Sequence, residues 1–167
     1  MNQVTVNDTF QQNYTYTLSE PVGKHFAEDF HPQLTPQEML ELGVFWGVYL
    51  NDYPEEFPTE RYTKMKVSPD KKDPKLNFFG VNASMPLEHW QKKWWIYHED
   101  PRGWFQWYAR YYMWRRIPTE DRRQIGRWKA MKRHVWAIRK NCYPLLRECR
   151  RKQRQALFHR AYDARAL

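Results

Sequence analysis

The sequence predicts a mainly α-helical fold, a compact bundle of about five helices around a central aromatic helix at about 101–116, with at most one short β pair near the N-terminus. Three observations lead there. Between Asp100 and Arg116, Trp104, Phe105, Trp107, Tyr108, Tyr111, Tyr112, Met113 and Trp114 cover nearly the whole circumference of a helix, and a helix apolar on every side must be enclosed by others. Ile125, Trp128, Met131, Val135, Ile138 and Cys142 then recur at spacings of three and four, the stripe of an amphipathic helix. Finally, Phe, Tyr and Trp make up 17% of 167 residues, so the core is aromatic, and each buried Tyr hydroxyl or Trp indole needs a hydrogen-bond partner.

Residues 1–9 are polar and are expected to form a flexible N-terminal arm, leaving 10–167 as a single helical domain. From Phe10 to Leu18, Tyr14, Tyr16 and Leu18 alternate with Asn13, Thr15 and Thr17, the period of a half-buried strand. Asn77–Val81 is a short apolar segment that offers itself as the partner. Thr35-Pro36-Gln37-Glu38 starts a helix: the Thr hydroxyl caps, Pro sits in the first turn, and Glu38 reaches back in a capping box. That helix is expected to reach about Leu50, with Gly43 and Gly47 permitting close packing. Pro54, Pro58, Pro69 and Pro74 limit the next stretch to short turns, such as one over 58–64, and to a charged loop at 68–74. Ser84 and Pro86 open a further helix carrying Leu87, Trp90 and Trp94 on one side. For the central helix, Asp100 is the expected N-cap and Pro101 the first residue. Pro118-Thr-Glu-Asp121 begins the basic amphipathic helix, which ends at Asn141 before Pro144, and a last helix runs from about Arg147 to Ala164.

The formal charge of +9 is unevenly spread: residues 1–109 hold 10 Lys/Arg against 15 Asp/Glu, whereas 110–167 hold 18 against 4, so the two parts carry −5 and +14. A basic C-terminal half of this kind points to a polyanionic partner, with nucleic acid first, and an acidic protein or lipid surface behind it. Its arginines far outnumber its lysines and are mixed with Trp and Tyr, which suits phosphate forks and base stacking. The residues expected to contact nucleic acid are Arg115, Arg116, Arg122, Arg123, Arg127, Lys132, Arg133, Lys140, Arg150, Arg151 and Arg154.

The other candidate surface is a polar seam on the central helix. Arg102, Gln106 and Arg110 share one face, and as anion clamps, with Tyr108 or Tyr112 as hydroxyl donors, they are the candidates for catalysis in an enzyme acting on nucleotides or nucleic acid. The structural reading of the seam is that these side chains satisfy neighbouring carbonyls and carboxylates. No nucleophile elbow, HExxH helix, phosphate loop or zinc-knuckle spacing occurs, so no cofactor or metal is expected. Asp163 reads as an arginine partner before a base. Cys142 and Cys149, without a recognisable signal peptide, read by default as two unreacted thiols in a reducing, intracellular setting, a bridge between them requiring an oxidising one. The longest apolar run, Gly43 to Leu50, is too short to cross a membrane, so a soluble protein is expected.

Four blocks, Leu34-Thr-Pro-Gln-Glu-Met-Leu-Glu-Leu-Gly-Val-Phe45, Leu76-Asn-Phe-Phe-Gly-Val-Asn-Ala-Ser84, Asp100-Pro-Arg-Gly-Trp-Phe-Gln-Trp-Tyr-Ala-Arg-Tyr-Tyr-Met113 and Arg154-Gln-Ala-Leu157, resemble a family of small uncharacterised single-domain proteins. The similarity spans about Tyr14 to Arg165 and implies one domain, with no activity attached. Trp46, Trp94 and Trp114 depart from that pattern, which has glycine at those places.

Overall fold

A computed structural model describes residues 3–47, 56–57, 64–66, 72–83, 87–92 and 96–167. Its elements are an antiparallel pair, β1 (Gln3–Val6) and β2 (Tyr14–Thr17), followed by α1 (Pro36–Leu42), α2 (Leu87–Lys92), α3 (Trp104–Met113), α4 (Pro118–Ala130), α5 (Lys132–Asn141) and α6 (Arg151–Phe158). Single 3-10 turns lie at Phe45–Gly47, Pro74–Leu76 and Ala164–Ala166. The mainly α architecture around an aromatic helix is as the sequence predicts.

The N-terminal arm is part of the fold. Gln3 pairs with Thr17, Val4 with Tyr16 and Val6 with Tyr14, and the alternation buries Val6 and Tyr16. Side chains close the connection: Asp8 Oδ1 accepts the N–H groups of Phe10 and Gln11, and Asn7 Oδ1 accepts that of Asn13. Asn77–Val81, expected to pair with β2, instead forms turns, with the buried Asn77 side chain donating to Val81 O at 2.9 Å.

Helix α1 has the expected capping box, with Thr35 Oγ1 accepting from Glu38 N at 3.1 Å and Glu38 Oε1 from Thr35 N at 3.2 Å. It stops at Leu42 rather than near Leu50 because Gly43 takes φ 110° and passes so close to the 76–78 segment that a Cβ there would lie 2.0 Å from Leu76 O. The 48–50 end of that expected helix, the turn over 58–63, the 68–71 part of the charged loop, Ser84, Pro86, Trp94 and the Trp46 side chain lie outside the described residues.

Helix α3 is shorter than expected and starts differently. Gly103 (φ 97°) is its N-cap, and Asp100 to Gly103 form a turn closed by Gly103 N–H to Asp100 O at 2.9 Å. Asp100 therefore does not cap; its carboxylate is free to turn inward. Every α3 residue except Tyr112 is buried. Phe30 is the hub of the ring cluster, with centroids 5.1–5.8 Å from those of Phe26, Trp107, Tyr108, Tyr111 and Trp128. Three polar tips on α3 find partners: Trp107 Nε1 donates to Asp121 Oδ1 at 2.8 Å, Trp104 Nε1 to Gln124 O at 3.1 Å and Tyr108 Oη to Leu34 O at 2.6 Å.

The amphipathic helix predicted over 118–141 breaks at Met131. Its N–H bonds back three residues to Trp128 O, tightening the turn, and the same carbonyl accepts the Tyr162 hydroxyl at 2.7 Å. The last helix likewise begins only at Arg151, after an Arg150 in left-handed conformation. Between them Cys142 and Cys149 form a disulfide, so the two thiols expected from the sequence are absent. A bond of this kind persists in oxidising surroundings, unlike the reducing setting expected. The chain-entropy model for so short a loop gives about 2–3 kcal/mol of stability. Cys142→Ser with Cys149→Ser is expected to lower the unfolding free energy by that amount in urea titrations, and the denatured parent protein should show no free thiol to a colorimetric reagent.

Candidate functional site

The central seam is filled by the protein itself. Arg110, fully enclosed, uses all five of its N–H groups: Nε and Nη2 grip Glu56 at 3.1 and 2.9 Å, Nη1 donates to Glu99 O at 2.6 Å and Asp100 Oδ1 at 2.9 Å, and Nη2 also reaches Gln11 Oε1 at 2.7 Å. Arg115 clasps Asp100 with two bonds at 2.7 and 2.6 Å and donates to Tyr14 Oη at 3.1 Å. Two guanidinium groups thus face two carboxylates in the interior. Burial opposes the charge of each, and the paired carboxylates overcome it, holding both arginines above their ordinary pKa. The same network raises the Tyr16 hydroxyl, through burial first and then the Glu56 charge it donates to at 2.8 Å. Arg102 lies 3.4 Å from Asp8 and 4.4 Å over the Phe10 ring, while Gln106 Oε1 accepts the Arg102 N–H at 2.9 Å. Tyr108 is bound to Leu34 O, and Tyr112 packs its ring against Phe26 and Gly23. Of the five catalytic candidates, Arg102, Gln106, Tyr108 and Arg110 are buried and engaged by protein groups, and Tyr112 is half-buried, so the seam expected to line a pocket is a packed, hydrogen-bonded interior.

The predicted nucleic-acid residues divide. Arg115 and Arg154 are interior; Arg154 donates to Cys149 O at 2.7 Å and Leu167 O at 2.6 Å, so neither reaches a phosphate. Arg116 is half-buried, 3.7 Å over the Tyr111 ring, with its N–H groups on the carbonyls of Tyr111, Lys24 and His25. Arg123 is bidentate to Glu120 at 2.9 and 2.6 Å, Arg127 reaches Gln124 Oε1 at 3.1 Å, and Arg150 reaches Gln153 Oε1 at 2.9 Å. Arg151 stands 3.8 Å from Glu148, and Asp163, as expected, pairs with an arginine, Arg165. Arg122, Lys132, Arg133 and Lys140 remain at the surface with no ion pair among the described residues.

Three of these four surround one side chain the sequence did not single out. Trp136 on α5 is 72% exposed, and the positions three and four residues before and after it are Arg133, Lys132, Arg139 and Lys140, all exposed. The opposite face of α5 holds Ile138 in the core, with Val135 against it. No carboxylate occurs on this helix, and Glu148 is the single acidic residue between Arg122 and Arg160. The crowding of positive charge acts on neighbouring groups too: after burial, Arg123 lowers the pKa of Arg127 and Arg133 that of His134. Just past α5, the disulfide-closed loop exposes Tyr143, Leu145 and Leu146. The signal for Trp136 was in the pattern: it is the one aromatic residue of 132–141 lying off the apolar stripe.

Among the described residues no group of His, Cys, Asp or Glu is arranged to hold a metal ion, and no helix is long and apolar enough to cross a membrane. Comparison with protein-family models, with curated proteins and with solved structures finds no match to this chain.

Proposed function

We propose that the protein binds nucleic acid, DNA or RNA, through the exposed face of α5. The observation that supports this is the set Lys132, Arg133, Arg139 and Lys140 on one helix face, with no carboxylate on that helix. The central arginines are consumed inside by Glu56 and Asp100. The four exposed cations of α5 have no ion pair among the described residues and keep their charge for an outside partner. Lysine supplies a point charge and arginine a planar fork, and both match phosphate oxygens. Arg122 and Arg150 extend the same positive field on the neighbouring segments.

Binding of this kind releases counterions, so affinity falls with salt in proportion to the number of phosphates neutralised. Four contacts to a single strand give a log–log slope of about −3, at about −0.7 for each. Arg133→Ala with Lys140→Ala is expected to flatten that slope by about 1.4 in fluorescence-anisotropy titrations against a labelled oligonucleotide. An affinity indifferent to salt, or a slope unchanged in the double variant, would remove the reading. Both side chains are exposed, so the variants keep the fold.

A further inference from the structure

We infer that the ligand of the α5 face is an unpaired nucleotide, its base stacked on Trp136. The inference rests on the nucleic-acid reading and narrows it to single strands. An indole 72% exposed in the middle of a helix leaves a large apolar surface in water, and its opposite-facing neighbours show that the helix had a core in which to bury one. Nothing within the described residues covers it. The helix positions one turn from it toward each end, about 4.5–6 Å along the axis, are all occupied by cations. A ligand fitting that arrangement needs a flat, polarisable face for the centre and negative charge at its margins. A nucleotide in a single strand has both, a free base face and flanking phosphates. A base inside a duplex does not, because its two faces are covered by the neighbouring pairs. Tyr143, 82% exposed just beyond the C-terminus of α5, offers a second ring to the same strand.

A bilayer is the competing occupant, since Trp, Tyr and leucines beside cations also suit an anionic membrane surface. The helix itself argues against it. An interfacial helix needs a wide apolar face turned outward, and the apolar face of α5 is packed into the protein, leaving one indole hemmed by charge. Among the described residues, Leu145 and Leu146 are the large aliphatic side chains exposed for a membrane to use.

The test compares a labelled oligothymidylate with a duplex of equal phosphate number, in the parent protein, Trp136→Ala and Trp136→Phe, with phosphatidylserine-containing vesicles as a third probe. The single strand is expected to bind tighter than the duplex, and to quench part of the tryptophan emission. Trp136→Ala should weaken the single strand about 5- to 150-fold, the range for one base–aromatic stack, and Trp136→Phe should weaken it less. Unchanged thermal unfolding of both variants verifies the fold. Salt-dependent oligonucleotide binding that is equal for both strand types and untouched in Trp136→Ala overturns the stacking inference while leaving phosphate docking on α5 in place. Absence of binding to any oligonucleotide overturns both. Vesicle binding lost in Trp136→Ala, with oligonucleotide affinity unaltered, assigns the indole to a bilayer and overturns the inference as well.

Discussion

Arg110→Ala is expected to lower the unfolding free energy by about 3–5 kcal/mol, the cost of removing one partner from a buried ion pair. The reason lies in what stays behind. Glu56 and Asp100 are enclosed, and after truncation Arg115 is the one remaining cation among them, donating to Asp100 and not to Glu56. Among the described residues, Glu56 would keep only the Tyr16 hydroxyl at 2.8 Å, and the Glu99 carbonyl and Gln11 amide oxygen would each lose a charged donor. Arg110→Lys should recover little, because a single ammonium cannot serve acceptors distributed over both edges of a planar fork. Combining Arg110→Met with Glu56→Gln removes both charges together and should restore part of the loss. Urea titration of the four proteins measures this. A loss below about 1 kcal/mol for Arg110→Ala would mean that water enters and solvates the carboxylates, and that the network does not hold the hairpin to α3. The β1–β2 hairpin should respond first, since Tyr14, Tyr16 and Gln11 all meet the rest of the protein at Arg110 or Arg115; protease sensitivity of residues 1–20 should rise ahead of global unfolding.

The same network separates what local patterning foretold from what it could not. The Thr35–Glu38 capping box, the alternation of β2, the enclosure of α3 and the acidic first turn of α4 depend on residues a few positions apart, and all are found as read. Asp100 is different. Its neighbours make it a good N-cap, yet two arginines ten and fifteen residues ahead compete for the same carboxylate, and charge-assisted bonds in the interior outweigh a cap. The break at Met131 follows from the Tyr162 hydroxyl on Trp128 O, a partner 34 residues away. Strand β1, Gln-Val-Thr-Val, carries the alternation and β-branching of a strand, but four residues cannot stand alone and are fixed by the ladder with β2. For the candidate interface, composition located the basic half but could not sort it: Arg115 and Arg154 look like Arg133 in sequence and differ only in being folded around internal acceptors. Composition offers Trp and Tyr for stacking without saying which is exposed; the local clue for Trp136 is its position off the apolar stripe of its helix.

Acid should destabilise the protein through a histidine in addition to its carboxylates. His159 is buried against the Phe45 ring at 4.6 Å, and its Nε2 lies 3.0 Å from Gln155 Nε2. The orientation of Gln155 is set from elsewhere: its Oε1 accepts Phe79 N–H at 3.0 Å, so its amino group faces both Gly43 O and His159. His159 Nε2 must then be an acceptor, which requires the neutral ring with its proton on Nδ1. Protonation would set N–H against N–H. Burial, followed by the positive charge of Arg160, accordingly holds the imidazole down at about 3. In the unfolded chain the same ring titrates near 6.5, so unfolding takes up a proton at any pH between those values. Stability from this group is therefore complete above about pH 6.5 and is lost as the pH falls toward 3, at about 1.4 kcal/mol per pH unit. His159→Gln places an amide oxygen where Nε2 stood and cannot titrate in this range. Urea midpoints of the two proteins should stay close at pH 7 and diverge steadily between pH 6 and 4, the parent falling faster by one proton's worth of slope, while carboxylate contributions fall in parallel in both. Parallel curves over that interval would show that His159 protonates in place, and that the Gln155 amide linking α6 to Gly43 and Phe79 can turn over without loss.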